Sequence, residues 1–117
     1  MAEKIDIEAS KNEDHNKLAV SDLNKRLHKI HQGGGEKRIA KQHEQGKMTA
    51  RERIDTLLDK GSPRIEVGAF AADGMYKEYG GAPSAGVVVV MGYVSKRQCI
   101  VVANDATVKA GAWFPMA

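Results

Sequence analysis

Val20, Leu23, Leu27 and Ile30 recur at spacings of three, four and three, which places them along one side of a helix. The residues between them are charged or polar, so this helix has a single narrow apolar seam and needs a surface to lie on. Gly33-Gly34-Gly35 ends it, the first glycine being a natural C-cap. A second short helix is predicted from Glu36 to Gln45, stopped by Gly46. Thr49-Ala50-Arg51-Glu52 then fits a capping box, with Thr49 accepting a first-turn amide and Glu52 reaching back. Ile54, Leu57 and Leu58 form the apolar face of that third helix, and Gly61 with Pro63 ends it.

The pattern changes after Pro63. Ile65 and Val67 predict a short extended piece, and Gly68 to Gly86 lacks periodicity, a long stretch of the kind that is functional or mobile. Val87 to Val94 and Gln98 to Ala103 are strand segments, and the brief Ser95-Lys96-Arg97 link predicts an antiparallel hairpin. Val87-Val88-Val89-Val90 does not alternate, so this strand should be covered on both faces. The rest of the sequence has too little apolar mass to supply both covers. Asn104-Asp105-Ala106-Thr107 reads as a turn out of the second strand. Trp113 and Phe114 fall among the last five residues, an ending that suits a truncated chain or a fragment.

Length permits at most one small domain of marginal stability. The net charge of +3 becomes informative once located: residues 1–30 and residues 54–117 each balance six basic against six acidic side chains. The excess lies in 31–53, where Lys37, Arg38, Lys41, Lys47, Arg51 and Arg53 face only Glu36, Glu44 and Glu52. Such a patch calls for an anionic partner, unless it is simply a solvated helix face. A nucleic-acid partner would want aromatic side chains near the charges, and 31–53 has none. The single Cys99 precludes an internal disulfide and fits a reducing compartment. No stretch reaches the roughly twenty apolar residues of a membrane helix, and Met1 to Ser10 resembles neither a signal nor a transit peptide. A cytoplasmic protein without a membrane partner is expected.

Gly46-Lys47-Met48-Thr49 imitates the end of a phosphate-binding loop, but Lys41 stands where that motif needs its first glycine, and a helix precedes it. The start of the third helix still offers free amides and a positive dipole end beside Lys47, Arg51 and Arg53, which suits phosphate. An ordinary capped helix whose arginines pair with Glu44 or Asp55 is the competing account. His28 and His31 lie one turn apart, yet no cysteine or carboxylate completes a metal set, and no metal is expected. Cys99 within a strand reads as a structural thiol, and Asp105 as a turn-former.

Two stretches resemble a known family. Gly33-Gly34-Gly35-Glu36-Lys37-Arg38 through Gln42-His43 and Gly46-Lys47-Met48-Thr49-Ala50-Arg51-Glu52-Arg53, then Leu57-Leu58-Asp59-Lys60-Gly61, is similar to the opening of carboxyltransferase β subunits of biotin-dependent acyl-CoA carboxylases. Val102-Ala103-Asn104-Asp105-Ala106-Thr107-Val108-Lys109 resembles the methylcrotonyl-CoA branch rather than the propionyl-CoA one. Ala110, where a second glycine is usual, and Ala117, where threonine is usual, depart from the pattern.

The resemblance implies an α/β fold, in which N-terminal helices lead into the first strands of a crotonase-like superhelix, incomplete in this chain. It divides the chain into an amphipathic helical extension, 1–32, and the start of the acyl-CoA carboxyltransferase N-terminal domain, 33–117. It further implies an acyl-CoA substrate and biotin carried on a partner carrier domain. The implied partners are the biotin carboxyl carrier, the biotin carboxylase subunit and further β subunits in a homo-oligomer. Lys37, Arg38, Lys47, Arg51 and Arg53 become candidates for holding CoA phosphates. No catalytic residue of the family falls on this chain, so alone it is expected to be inactive. The alternative is a scaffold fragment that associates with full-length subunits.

Overall fold

The computed structural model describes residues 2–117, with side-chain surroundings from residue 6 onward. Helices α1 (Ala2–His31), α2 (Glu36–Glu44) and α3 (Ala50–Leu57) precede strands β1 (Ile65–Val67), β2 (Val87–Val94) and β3 (Arg97–Asn104). Short 3-10 turns occupy Lys77–Tyr79, Pro83–Gly86 and Lys109–Gly111.

Helix α1 extends far ahead of its apolar seam. Residues 2–31 contain neither glycine nor proline and are rich in Ala, Glu and Lys, so nothing stops the helix before Gly33 turns left-handed (φ 54°). The Glu13–Lys17 pair (3.0 Å) adds a little support. Only the C-terminal end of the seam finds a surface: Ile30 is buried and Leu27 half-buried, whereas Val20 and Leu23 face solvent.

In α3, Thr49 caps as the sequence predicts, its Oγ1 accepting from the Glu52 amide at 3.3 Å. The buried face is Ala50, Ile54 and Leu58, one row at spacing four. Leu57, expected in the apolar face, is 49% exposed and stays outside that buried cluster.

The sheet has order β1-β2-β3 and both pairs are antiparallel. No parallel pair occurs among the described strands. The hairpin link is two residues rather than three. Ser95 (φ 50°) and Lys96 (φ 65°) are both left-handed, the requirement of a type I′ turn, without the usual Asn-Gly. Asp59 compensates by accepting from both amides (2.8 and 2.7 Å), while its own amide donates to the Tyr93 carbonyl (2.8 Å). The end of α3 thereby fixes the hairpin register.

β2 alternates buried and half-buried positions. One face packs Val88 and Val90 on α3, with Val94, Val101 and Ala103 beside them. The other face, for which the valine run predicts a cover, carries none among the described residues. Residues 68–86 fold back as a second small core, in which Ala72, Ala82 and Ala85 meet Val108 and Phe114.

Candidate functional site

The five basic candidates part ways in space. Arg51 projects from the first turn of α3 onto the helix-covered face of the sheet and grips Glu66 with both ends of its guanidinium (Nη1 to Oε2 2.8 Å, Nη2 to Oε1 2.9 Å). Nη2 also reaches Ser84 Oγ at 3.3 Å, and Ser84 Oγ donates to the Ala69 carbonyl at 3.0 Å. His31 Nε2 approaches Glu66 Oε2 at 3.3 Å, which brings the end of α1 into the same cluster. A carboxylate doubly bonded to a guanidinium is strongly directional. Burial pushes the Glu66 carboxyl up, but the Arg51 hydrogen bonds and charge, with a smaller contribution from His31, carry it below its ordinary value.

This cluster also secures an unusual backbone. Ser84 (φ 52°, ψ 31°) and Ala85 (φ 53°, ψ 24°) are successive left-handed residues, and neither is glycine. Such residues persist where surroundings over-determine them. Here the Ser84 side chain is held from two sides, and the Ala85 amide donates to the Ala71 carbonyl (3.0 Å).

The two stretches that carry the family resemblance meet face to face. The Gly34 amide donates to Thr107 Oγ1 (2.9 Å), and Arg38 Nη1 donates to the Thr107 carbonyl (3.2 Å). Asp105, buried, accepts from the Thr107 amide (2.9 Å) and hydroxyl (2.6 Å), while its own amide donates to the Gly86 carbonyl (2.9 Å). Asp105 is thus the organiser of its turn, as its type suggests. A side chain at Gly33 would meet the Asp105 carboxylate at 2.7 Å, so the glycines are there for close approach.

Lys47 and Arg53 are the two candidates that converge. Both line a cavity of about 530 Å³ at the start of α3, together with Gln42, Asn104, Ala106 and Ala110. Neither forms a salt bridge among the described residues. Glu52, the nearest acid in sequence, is taken by His43 (Nε2 to Oε1 2.7 Å), and that contact chiefly lowers the Glu52 carboxyl. Lys37 is exposed on α2. A larger cavity of about 790 Å³, lined by Leu27, Phe70, Val88 and Val90, lies apart from Lys47 and Arg53. Among the described residues no three His, Cys, Asp or Glu side chains converge as a metal site. No helix among them is long and apolar enough to cross a membrane.

Sequence reasoning missed Glu66 and Ser84 as the partners of Arg51, and Asn104, Ala106 and Ala110 as cavity walls. One signal for Glu66 was available, since it alternates with Ile65 and Val67 and so must face the other way. Ala110 is left-handed (φ 53°, ψ 27°) and exposed. Ala110→Gly should therefore raise stability by about 0.5–1 kcal/mol, the released strain exceeding the added chain entropy. A urea melt showing no gain would count against strain at that turn.

Residues 41–117 match the carboxyl transferase domain family. The chain is 45% identical over 103 residues to the biotin-dependent 3-methylcrotonyl-coenzyme A carboxylase beta1 subunit of Mycobacterium tuberculosis, covering 88% of this chain and 19% of that protein. It is 45% identical over 97 residues to the probable mitochondrial methylcrotonoyl-CoA carboxylase beta chain of Drosophila melanogaster, covering 83% of this chain and 17% of that one. Its structure is similar to transcarboxylase 12S, a hexamer solved with methylmalonyl-coenzyme A and methylmalonic acid bound (TM-score 0.71, 40% identity). That likeness covers 82% of this chain and 19% of the transcarboxylase chain. The chain therefore spans about a fifth of the length of the proteins it matches.

Proposed function

Because the chain belongs to the carboxyl transferase domain family, we propose that it is the opening segment of a subunit that transfers carboxyl from carboxybiotin to an acyl-CoA of the methylcrotonyl-CoA type. The reading is supported by the 45% identity to a methylcrotonyl-CoA carboxylase subunit and by the clasp between the two motif stretches. Residues 1–32 serve as a helical extension, and 33–117 begin the carboxyltransferase domain. Biotin arrives on a separate carrier served by a biotin carboxylase subunit, and the subunits assemble as a homo-oligomer in the cytoplasm. Carboxybiotin supplies the carboxyl group; no residue of this chain is given a catalytic role.

What the chain contributes to the substrate is charge. The observation that carries this is the convergence of Lys47 and Arg53 in one cavity, free of acidic partners among the described residues, at the positive end of α3. CoA carries a diphosphate and a ribose phosphate, which two unpaired cations beside a helix start would hold. Lys37 adds to the field from α2. Arg38 lends charge while engaged with the Thr107 carbonyl, whereas the charge of Arg51 is balanced by Glu66.

Calorimetry of CoA against this chain tests the assignment. Lys47→Ala and Arg53→Ala should each weaken binding by about tenfold, equivalent to about 1.4 kcal/mol. Raised salt should weaken the parent more than either variant. Equal affinity for all three proteins would remove this cavity from the CoA site.

A further inference from the structure

The cavity that holds Lys47 and Arg53 has more in its walls than charge. At about 530 Å³ it lies within the roughly 300–1,000 Å³ of small-molecule sites, and phosphate groups fill only part of it. Two carboxamides, Gln42 and Asn104, share the lining with the apolar Met48, Ala106 and Ala110. No carboxylate is among the described lining residues.

The carboxamides are free to meet a ligand, and their hydrogen-bonding senses are set. Trp113 Nε1 donates to Asn104 Oδ1 at 3.1 Å. An indole N–H can only donate, so the Asn104 oxygen is turned toward Trp113 and Nδ2 remains as a donor. Gln42 is half-buried, and its backbone carbonyl accepts from the Lys47 amide at 2.9 Å, which ties it to the lysine of the cavity. Its side chain bonds to no other side chain among the described residues, so Gln42 Oε1 is the one lining side-chain oxygen not already engaged. Such a lining suits a ligand rich in acceptors, with one donor placed beside one of them. Met48 adds a polarizable wall, its sulfur accepting from Thr56 Oγ1 at 3.7 Å, and a thioether packs well on an aromatic ring.

We infer that this cavity reads the adenine base at the nucleotide end of CoA, with Gln42 as the residue that determines base identity. The inference rests on the phosphate reading above and takes it from charge to base recognition. Adenine sets an amino group, N6, beside a ring acceptor, N7, the pair that a glutamine carboxamide meets with both of its ends. Gln42 Oε1 accepts from N6 and Nε2 donates to N7. Asn104 Nδ2 donates to a remaining acceptor of the nucleoside, the flat face of the base lies on Met48, and Lys47 and Arg53 hold the phosphates. Hypoxanthine has an oxygen in place of the amino group. That oxygen opposes Gln42 Oε1, and turning the carboxamide over only sets Oε1 against N7, so one of the two bonds is lost either way. The acyl group takes no part, so the nucleotide end should bind by itself.

Calorimetry of the full chain with adenosine 3′,5′-bisphosphate and with its inosine counterpart tests this, and Trp113, the only tryptophan, reports on the cavity through Asn104. The parent should bind the adenosine form about tenfold more tightly, the discrimination of a bidentate base contact. Trp113 emission should change with the same midpoint as the heat. Gln42→Leu should bring the ratio of the two affinities to about one. Lys47→Ala should weaken both ligands together and keep the ratio. Each ratio is taken within one protein, so a partly unfolded variant does not distort it, and circular dichroism checks the fold. A parent ratio near one would overturn the inference and leave the phosphate reading standing. So would a ratio that survives Gln42→Leu, or Trp113 emission unchanged at saturation, which puts the base elsewhere. Failure of both bisphosphates to bind the folded parent would remove the phosphate reading, and base recognition with it.

Discussion

Gly34→Ala is expected to cost this chain about 3 kcal/mol or more, enough to unfold most of the population of a small marginal domain. A Cβ at Gly34 would lie 1.8 Å from the Thr107 carbonyl oxygen, 2.6 Å from its carbon and 2.9 Å from Arg38 Cδ. Two of those atoms are backbone, held by the Asp105 turn, so relief requires moving the turn off the glycines. That movement would break the Gly34 to Thr107 hydrogen bond and strip the Arg38 bond to the Thr107 carbonyl. Gly34 is not among the left-handed glycines, so the penalty is one of space rather than conformation. Gly46→Ala is the matched control: a Cβ there meets nothing within 4 Å, and only its left-handed φ of 72° is penalised, by about 1 kcal/mol. Urea melts followed by circular dichroism compare the two. Similar midpoints for Gly34→Ala and Gly46→Ala would mean the clasp does not hold the fold.

Local features were legible because their causes lie within a few residues. The Thr49 cap, the end of α1 at the triple glycine and the antiparallel hairpin each follow from adjacent side chains. Non-local features were not. The glycine stretch and the Asn104–Thr107 turn were each recognisable, yet their contact joins positions 73 residues apart. Leu57 was assigned to the apolar face because three apolar residues in five suggest one stripe, whereas the burying row runs through Ala50, whose small side chain carries little signal. Arg51 read as a free cation on charge counting alone, because its acid arrives from β1, fifteen positions on. The mismatch between the valine run and the one cover available did survive into the structure, as the open sheet face.

That hidden partner makes Glu66→Gln the second substitution with a large expected effect. Removing one side of a well-buried ion pair costs about 3–5 kcal/mol. Here Arg51 and Glu66 keep 23% and 18% of their side-chain surface, so about 2–3 kcal/mol is expected. The residual cost is that of a guanidinium whose charge is no longer balanced, one of its two carboxylate acceptors replaced by an NH2 group, and whose Nε already lacks a partner. The pair replaced on both sides, Arg51→Met with Glu66→Leu, should lose much less than either single change, since no stranded charge remains. Acidity provides an independent check. The Glu66 carboxyl is lowered from an ordinary value of 4.5, so the folded state binds that proton less readily than the unfolded chain. Its contribution to stability is therefore fully present above the unfolded value and is lost as pH falls through the lower folded one. Denaturation midpoints taken between about pH 3 and about pH 6 should fall steeply on the acid side for the parent and less steeply for Glu66→Gln. Parallel profiles would show that acid denaturation acts elsewhere, and a double replacement as damaging as the single would show that the pair stabilises the fold by more than avoiding a lone charge.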